Sequence, residues 1–105
     1  MTVKLNNFAR TIQPVKGTPY FQWKLFVDEP PEKLKGIRRV IYTLHPTFPN
    51  PTRISERAED QFAVESAGWG EFNVLVTVEF QDGREEIFEY PLDLAKPWPT
   101  QAASA

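Results

Sequence analysis

Between residues 71 and 81 the chain reads EFNVLVTVEFQ, and Phe72, Val74, Val76, Val78 and Phe80 alternate with Glu71, Asn73, Leu75, Thr77 and Glu79. Successive side chains of an extended strand point to opposite faces, so this period places five apolar groups on one side and a mostly polar set on the other. The segment is a strand with one face packed and the other wet. The Asp82-Gly83 pair that follows favours a two-residue hairpin turn with positive backbone angles, which returns the chain antiparallel over Glu85 to Tyr90.

The rest of the chain agrees with a β fold. Ten prolines and 13% aromatic residues, with short runs rich in valine, isoleucine and aromatics, argue for strands rather than helices. Tyr20 to Val27 and Ile37 to His45 are apolar on more than one face, as central strands are, and the polar DEPPEKLKG joins them. Further strands are expected at Thr2 to Phe8, Thr11 to Val15, Thr52 to Ser55 and Gln61 to Glu65. The sum is an all-β, immunoglobulin-like β-sandwich of about eight antiparallel strands, with Trp23 packing the two sheets together. RISERAEDQF, residues 53 to 62, is charged and partly helical in character. At 105 residues the chain supports one core. The domain is expected over residues 1–96, followed by a flexible tail over 97–105 that begins at Pro97 and ends in small polar residues.

Several function classes are excluded or disfavoured. A net charge of −2 gives no field that draws nucleic acid, and no direct nucleic-acid binding is expected. The chain has no cysteine, which removes disulfides, thiolate catalysis and cysteine-rich zinc sites together. His45 is the single histidine, so a metal site of several imidazoles is excluded, and neither metal nor cofactor is expected. It precedes a proline, and no serine sits in a nucleophile-elbow setting, so no catalytic residues are assigned. No secretion signal and no membrane-spanning apolar run is present, which suits a soluble, cytoplasmic protein with no membrane partner. The carboxylates at Glu56, Glu59 and Asp60 and at Glu85 and Glu86 read as solvated faces.

Two loops carry unusual chemistry. His45-Pro46-Thr47-Phe48-Pro49-Asn50-Pro51 has three prolines within its last six residues; each fixes its own φ and biases the residue before it, so Phe48 is held in a stiff setting. SAGWGEF, residues 66 to 72, flanks Trp69 with Gly68 and Gly70, which let the backbone bend closely and leave the Trp69 N–H uncovered. Taken singly, Phe48 and Trp69 read as packing aromatics, Thr47 as a turn residue bonding its own backbone and His45 as a strand-end structural group. Placed face to face, the two loops would form a slot for a flat, neutral, polarisable group such as an amide, with the Thr47 hydroxyl and the Trp69 N–H satisfying the amide N–H and C=O.

LHPTFPNP (44 to 51) followed by ESAGWGEF (65 to 72) and a long alternating strand resembles the YEATS domain, an immunoglobulin-like reader of acylated lysine. The resemblance runs from about Trp23 to Leu92. It implies that Phe48 and Trp69 sandwich the acyl-amide plane, that the Thr47 hydroxyl bonds the acyl amide, and that His45 lines and orders the pocket. It further implies that the Trp69 N–H donates to the acyl carbonyl, that Gly68 and Gly70 shape the loop, and that Phe72 anchors it as a buried aromatic. Tyr20 and Phe21 fall near the family's rim aromatic. The short N-terminal part and compact connections look more like bacterial YEATS-like domains than nuclear ones. The expectation is a non-enzymatic module that inserts an acetylated or crotonylated lysine of a peptide or protein between Phe48 and Trp69. The alternatives are an interaction or assembly module with no acyl ligand and, from another class, a carbohydrate-binding module; the oligomeric state is left open.

Overall fold

Alternation of apolar and polar residues and the turns between them divide the chain into seven strands among the described residues, 3–98, of the computed structural model. They are β1 (Leu5–Val15), β2 (Thr18–Val27), β3 (Ile37–Thr43), β4 (Thr52–Ser55), β5 (Val64–Gly68), β6 (Asn73–Phe80) and β7 (Glu85–Pro91), with one short helix, α1 (Pro31–Leu34), between β2 and β3. One sheet has the order β1-β2-β5 and the other β4-β3-β6-β7, all pairs antiparallel. Trp23, Leu25 and Val27 from the first sheet meet Val40, Tyr42, Val74, Val76 and Val78 from the second, all fully buried. This is an immunoglobulin-like β-sandwich whose central strands are β2, β3 and β6.

The strand count is seven and not about eight because the segments expected at 2–8 and 11–15 are one strand. Ala9 and Arg10 stay in register with Trp23 and Gln22, and the pairing shifts only between Ile12 and Val15; Thr2 lies outside the described residues. The strand expected at 61–65 begins later. Gln61 and Phe62 adopt left-handed φ of 56° and 54°, which no strand continues through. Phe62 is instead a buried plug, and pairing starts at Val64. Ser66 to Gly68, expected in a loop, therefore end a strand. The polar connection contains α1, which Pro31 opens at a position where a missing N–H costs nothing. The helical character in 53–62 is a single 3-10 turn at Ala58–Asp60.

The turn chemistry also differs from expectation. In the β6–β7 connection only Gly83 has a positive φ, 92°. Gly83 N–H bonds the Phe80 carbonyl at 3.0 Å, and Phe80 N–H bonds the Arg84 carbonyl at 2.9 Å, so residues 81–84 form a longer, bulged connection rather than a two-residue one. The two-residue turn with both φ positive is Lys16-Gly17, at 51° and 80°, between Val15 and Thr18 of β1 and β2.

Two phenols hold distant parts of the chain together, one of them across the two sheets. Tyr42 of β3 donates to the Phe62 carbonyl at 2.6 Å, and Tyr90 of β7 donates to Asn7 Oδ1 of β1 at 2.7 Å. Asn7, fully buried, also accepts from Asp93 N–H and donates to the Asp93 carbonyl. Beyond β7, Ala9 and Lys96 to Trp98 exchange backbone hydrogen bonds, and the Arg10 guanidinium lies 4.4 Å from the Trp98 ring centroid. Pro97 and Trp98, assigned by sequence to the flexible tail, thus lie along β1; the remainder of that tail, 99–105, is outside the described residues.

Candidate functional site

At the end of the sandwich beyond the last residue of β3, the proline-rich loop is closed by a hydrogen bond from Leu44 N–H to the Pro51 carbonyl at 2.7 Å. The Arg53 guanidinium bonds the Asn50 and Pro49 carbonyls at 2.7 and 3.1 Å. The loop is therefore clamped from below as well as stiffened by proline. Phe48 N–H bonds the His45 carbonyl at 3.0 Å, and this turn sends the half-buried Phe48 ring inward. There it packs at 5.2 Å, centroid to centroid, on Phe72 and edge-on at 6.2 Å to Trp23. His45 meets Phe72 edge-on at 6.3 Å.

His45 Nδ1 lies 2.9 Å from Thr47 Oγ1 and 3.3 Å from the Thr47 backbone N–H. The backbone donor makes Nδ1 an acceptor, so the hydroxyl hydrogen also turns towards it. The lone pairs of Thr47 Oγ1 then remain for a donor from outside. Imidazole and hydroxyl act as one unit: the ring fixes which way the hydroxyl faces.

Further lining of the same cleft comes from β5 and the loop after it. Gly68 pairs with Phe21 in the last register position of the β2–β5 ladder, and a Cβ on it would stand 3.2 Å from Phe48 Cζ. Close approach of that ring is why the position lacks a side chain; neither Gly68 nor Gly70 has a positive φ, contrary to the permissive bend expected there. A Cβ at Gly70 would meet nothing within 4 Å. Trp69 follows the ladder's last residue, so its N–H is not used by that pairing. Trp69 is 64% exposed, and its ring makes no ring contact with another aromatic among the described residues.

Tyr20, His45, Thr47, Phe48, Gly68, Trp69 and Gly70 line a single cleft of about 370 Å3. Phe21 does not, because neighbours in a strand face opposite ways. Pro49, Ala67 and Glu71 also line it; each adjoins a residue picked out by sequence, which was the available signal. Among the described residues Glu71 carries the cleft's one carboxylate, and it accepts a bond from Leu94 N–H at 3.0 Å. Among the described residues no group of three or more histidine, cysteine, aspartate or glutamate side chains could hold a metal ion, and no helix is long and apolar enough to cross a membrane. Phe48, Trp69 and the Thr47 hydroxyl thus border one cleft.

A sequence model of the prokaryotic YEATS domain matches residues 21–93, which include both loops and five of the strands in full. The chain belongs to the prokaryotic YEATS family. This YEATS domain is 34% identical over 85 residues to the protein AF-9 homolog of Eremothecium gossypii, covering 79% of the chain and 39% of that protein. It is 38% identical over 60 residues to the protein AF-9 homolog of Schizosaccharomyces pombe, covering 55% and 27%. The chain thus spans well under half the length of these curated relatives. Among solved structures it superposes on the yeast AF-9 homolog Yaf9 with a TM-score of 0.72 at 27% identity, over 86% of this chain and 64% of that one. It also superposes on the Yaf9 YEATS domain recognizing an H3K122suc peptide, with a TM-score of 0.70 at 27% identity, over 90% and 78%, and on the same domain bound to H3K27ac, at 0.66 and 26%, over 97% and 80%. YEATS domains are binding modules and not enzymes.

Proposed function

We propose that this YEATS domain binds an acylated lysine side chain of a peptide or protein, end-on in the cleft between Phe48 and Trp69. The reading rests on the pairing of His45 with Thr47: with the hydroxyl hydrogen directed at Nδ1, Oγ1 is an acceptor for the acyl-amide N–H. The Trp69 N–H, outside the β2–β5 ladder, is the donor for the acyl carbonyl. Both polar atoms of a desolvated amide are then satisfied, which its burial demands. Solved Yaf9 YEATS domains that take H3K122suc and H3K27ac support the same use of this fold. An exposed Trp69 wall leaves the slot open-ended, and flat unsaturated acyl groups such as crotonyl, which stack along their whole length, are preferred to saturated ones. Affinity is modest, since so small a contact has little area to offset association entropy.

Amide NMR spectra recorded during titration with acetyl-lysine and crotonyl-lysine peptides test this. Shifts centred on Phe48, Gly68 and Trp69, absent in Trp69→Ala, are expected; no shift at these amides with millimolar ligand sinks the reading. The exposure of Trp69 also suits a protein surface docking there without any acyl group. In that case Trp69→Ala abolishes a protein contact although no acyl-lysine peptide ever moved the amides.

A further inference from the structure

A second groove, of about 450 Å3, also borders Trp69. Its described lining is Val15, Lys16, Thr18, Tyr20 and Trp69. Tyr20 and Trp69 also line the first cleft, so the two depressions are neighbours that share a wall of two aromatic rings. They differ in charge: among the described residues, Lys16 is the one charged residue lining the groove, and Glu71 the one carboxylate lining the cleft.

Lys16 is also well placed to serve a ligand. It occupies the tight two-residue turn between β1 and β2, with φ of 51° followed by 80° at Gly17, so its backbone position is set by two paired strands. Val15 beside it is 46% exposed. Among the described residues the Lys16 ammonium makes none of the ion pairs present. A free cation, an exposed valine and two aromatic rings together form a surface that accepts an anionic group on an apolar stem.

We propose that this groove is a second subsite of the acyl-lysine cleft, in which Lys16 binds a carboxylate carried by the ligand. Glu71 disfavours a carboxylate in the cleft itself, so the ligand's negative charge is drawn across Trp69 towards the turn. The proposal rests on the acyl-lysine reading above and adds an electrical preference to it. The carboxylate has two possible sources: the end of a dicarboxylic acyl chain that passes through the slot, or an aspartate or glutamate flanking the acylated lysine.

Fluorescence or NMR titrations of the whole chain separate these. One arm compares succinyl-lysine with butyryl-lysine as Nα-acetylated amides, which have neither a flanking residue nor an α-carboxylate. The other compares crotonyl-lysine peptides carrying aspartate or lysine two positions before or after the modified residue. Each is measured on the parent, Lys16→Gln and Lys16→Glu, with spectra away from the turn reporting that the fold is kept. Ion pairs at exposed positions are weak, so a preference of about threefold for the anionic member is expected. It is lost in Lys16→Gln, reversed in Lys16→Glu, and shrinks as salt is raised. A residue-16-dependent preference in the first arm assigns the acyl terminus, and one in the second arm assigns the flank. If butyryl-lysine and crotonyl-lysine peptides bind and neither arm depends on residue 16, the subsite is overturned while the acyl reading stands. If no neutral acyl ligand binds at all, both fall.

Discussion

A methyl group at residue 68 would lie 3.2 Å from Phe48 Cζ, whereas one at residue 70 would meet open space. The two glycines that flank Trp69 are thus unequal, and two substitutions show it. Gly68→Ala displaces the Phe48 ring by a few tenths of an ångström; stability falls by about 1 kcal/mol, as overpacking costs, and crotonyl-lysine binding weakens several-fold. Gly70→Ala leaves both close to the parent. Denaturant unfolding and ligand titration on the pair check this, and equal effects at the two sites would remove Phe48 contact as the reason for Gly68. Thr47 offers a second test. Thr47→Val keeps the shape and deletes the acceptor, and losing a hydrogen bond to a desolvated amide costs about 1–1.5 kcal/mol, roughly tenfold in affinity. Because Thr47 is exposed, the stability of the variant is expected to stay within about 0.5 kcal/mol of the parent. A His45→Ala variant weakens the same bond indirectly, since the hydroxyl is then free to turn.

Among the elements, β6 was legible because period-two alternation is a property of consecutive residues and needs no knowledge of the partner strands. Its ends were less so. Phe72 has the strand's pattern but serves as the platform beneath Phe48 and His45, and pairing begins only at Asn73. The start of β5 was shifted by left-handed Gln61 and Phe62, residue types that give no local signal of that geometry; burial of the Phe62 ring holds it. The Asp82-Gly83 turn was found but its type was not, because Asp82 serves as a hydrogen-bond acceptor. Its carboxylate takes the Arg84 backbone N–H at 3.0 Å and the Arg84 Nε at 2.8 Å. Those two bonds, the backbone one foremost, hold the Asp82 carboxyl below its ordinary value of 3.8. A depressed native value means that the contribution to the hairpin is complete above that ordinary value and is lost as pH falls through the native one. In a pH titration followed by NMR, the Arg84 amide is expected to report a midpoint below 3.8, and Asp82→Asn to abolish that titration. A midpoint at or above the ordinary value would exclude the bond.

For the molecule as a whole, what holds one sheet against the other was largely hidden in the sequence, since the contacts join residues far apart in the chain. Valines, Trp23 and the leucines announced an apolar interior, but nothing local marked Asn7 as fully buried or linked it to Tyr90 and Asp93. The site was more legible than the core: its residues sit in two short loops whose prolines and glycines are conspicuous, and only their meeting at one end required the fold. Both phenols titrate. Burial raises the Tyr42 hydroxyl well above the ordinary 10.0, and Tyr90 is raised by burial first and by the nearby Asp93 carboxylate second. Each must stay protonated to donate, Tyr42 to the Phe62 carbonyl and Tyr90 to Asn7. The sign is that of an acid whose native value exceeds its unfolded one: the folded state holds the proton more tightly. The stabilisation is therefore complete below about pH 10 and is lost as pH rises from there towards the native values. Denaturant midpoints measured across the alkaline range are expected to be level up to about pH 9.5 and to fall beyond 10. Lysines deprotonate in the same range, so the comparison that isolates the phenols is Tyr42→Phe with Tyr90→Phe. That variant starts less stable, by about 1–3 kcal/mol for the Phe62 carbonyl left without its donor and by about 1 kcal/mol for the lost Tyr90 bond, since Asn7 Oδ1 keeps the Asp93 N–H, and declines less steeply with pH. Parallel decline of parent and variant would show that the two phenols do not govern how the sandwich opens in alkali.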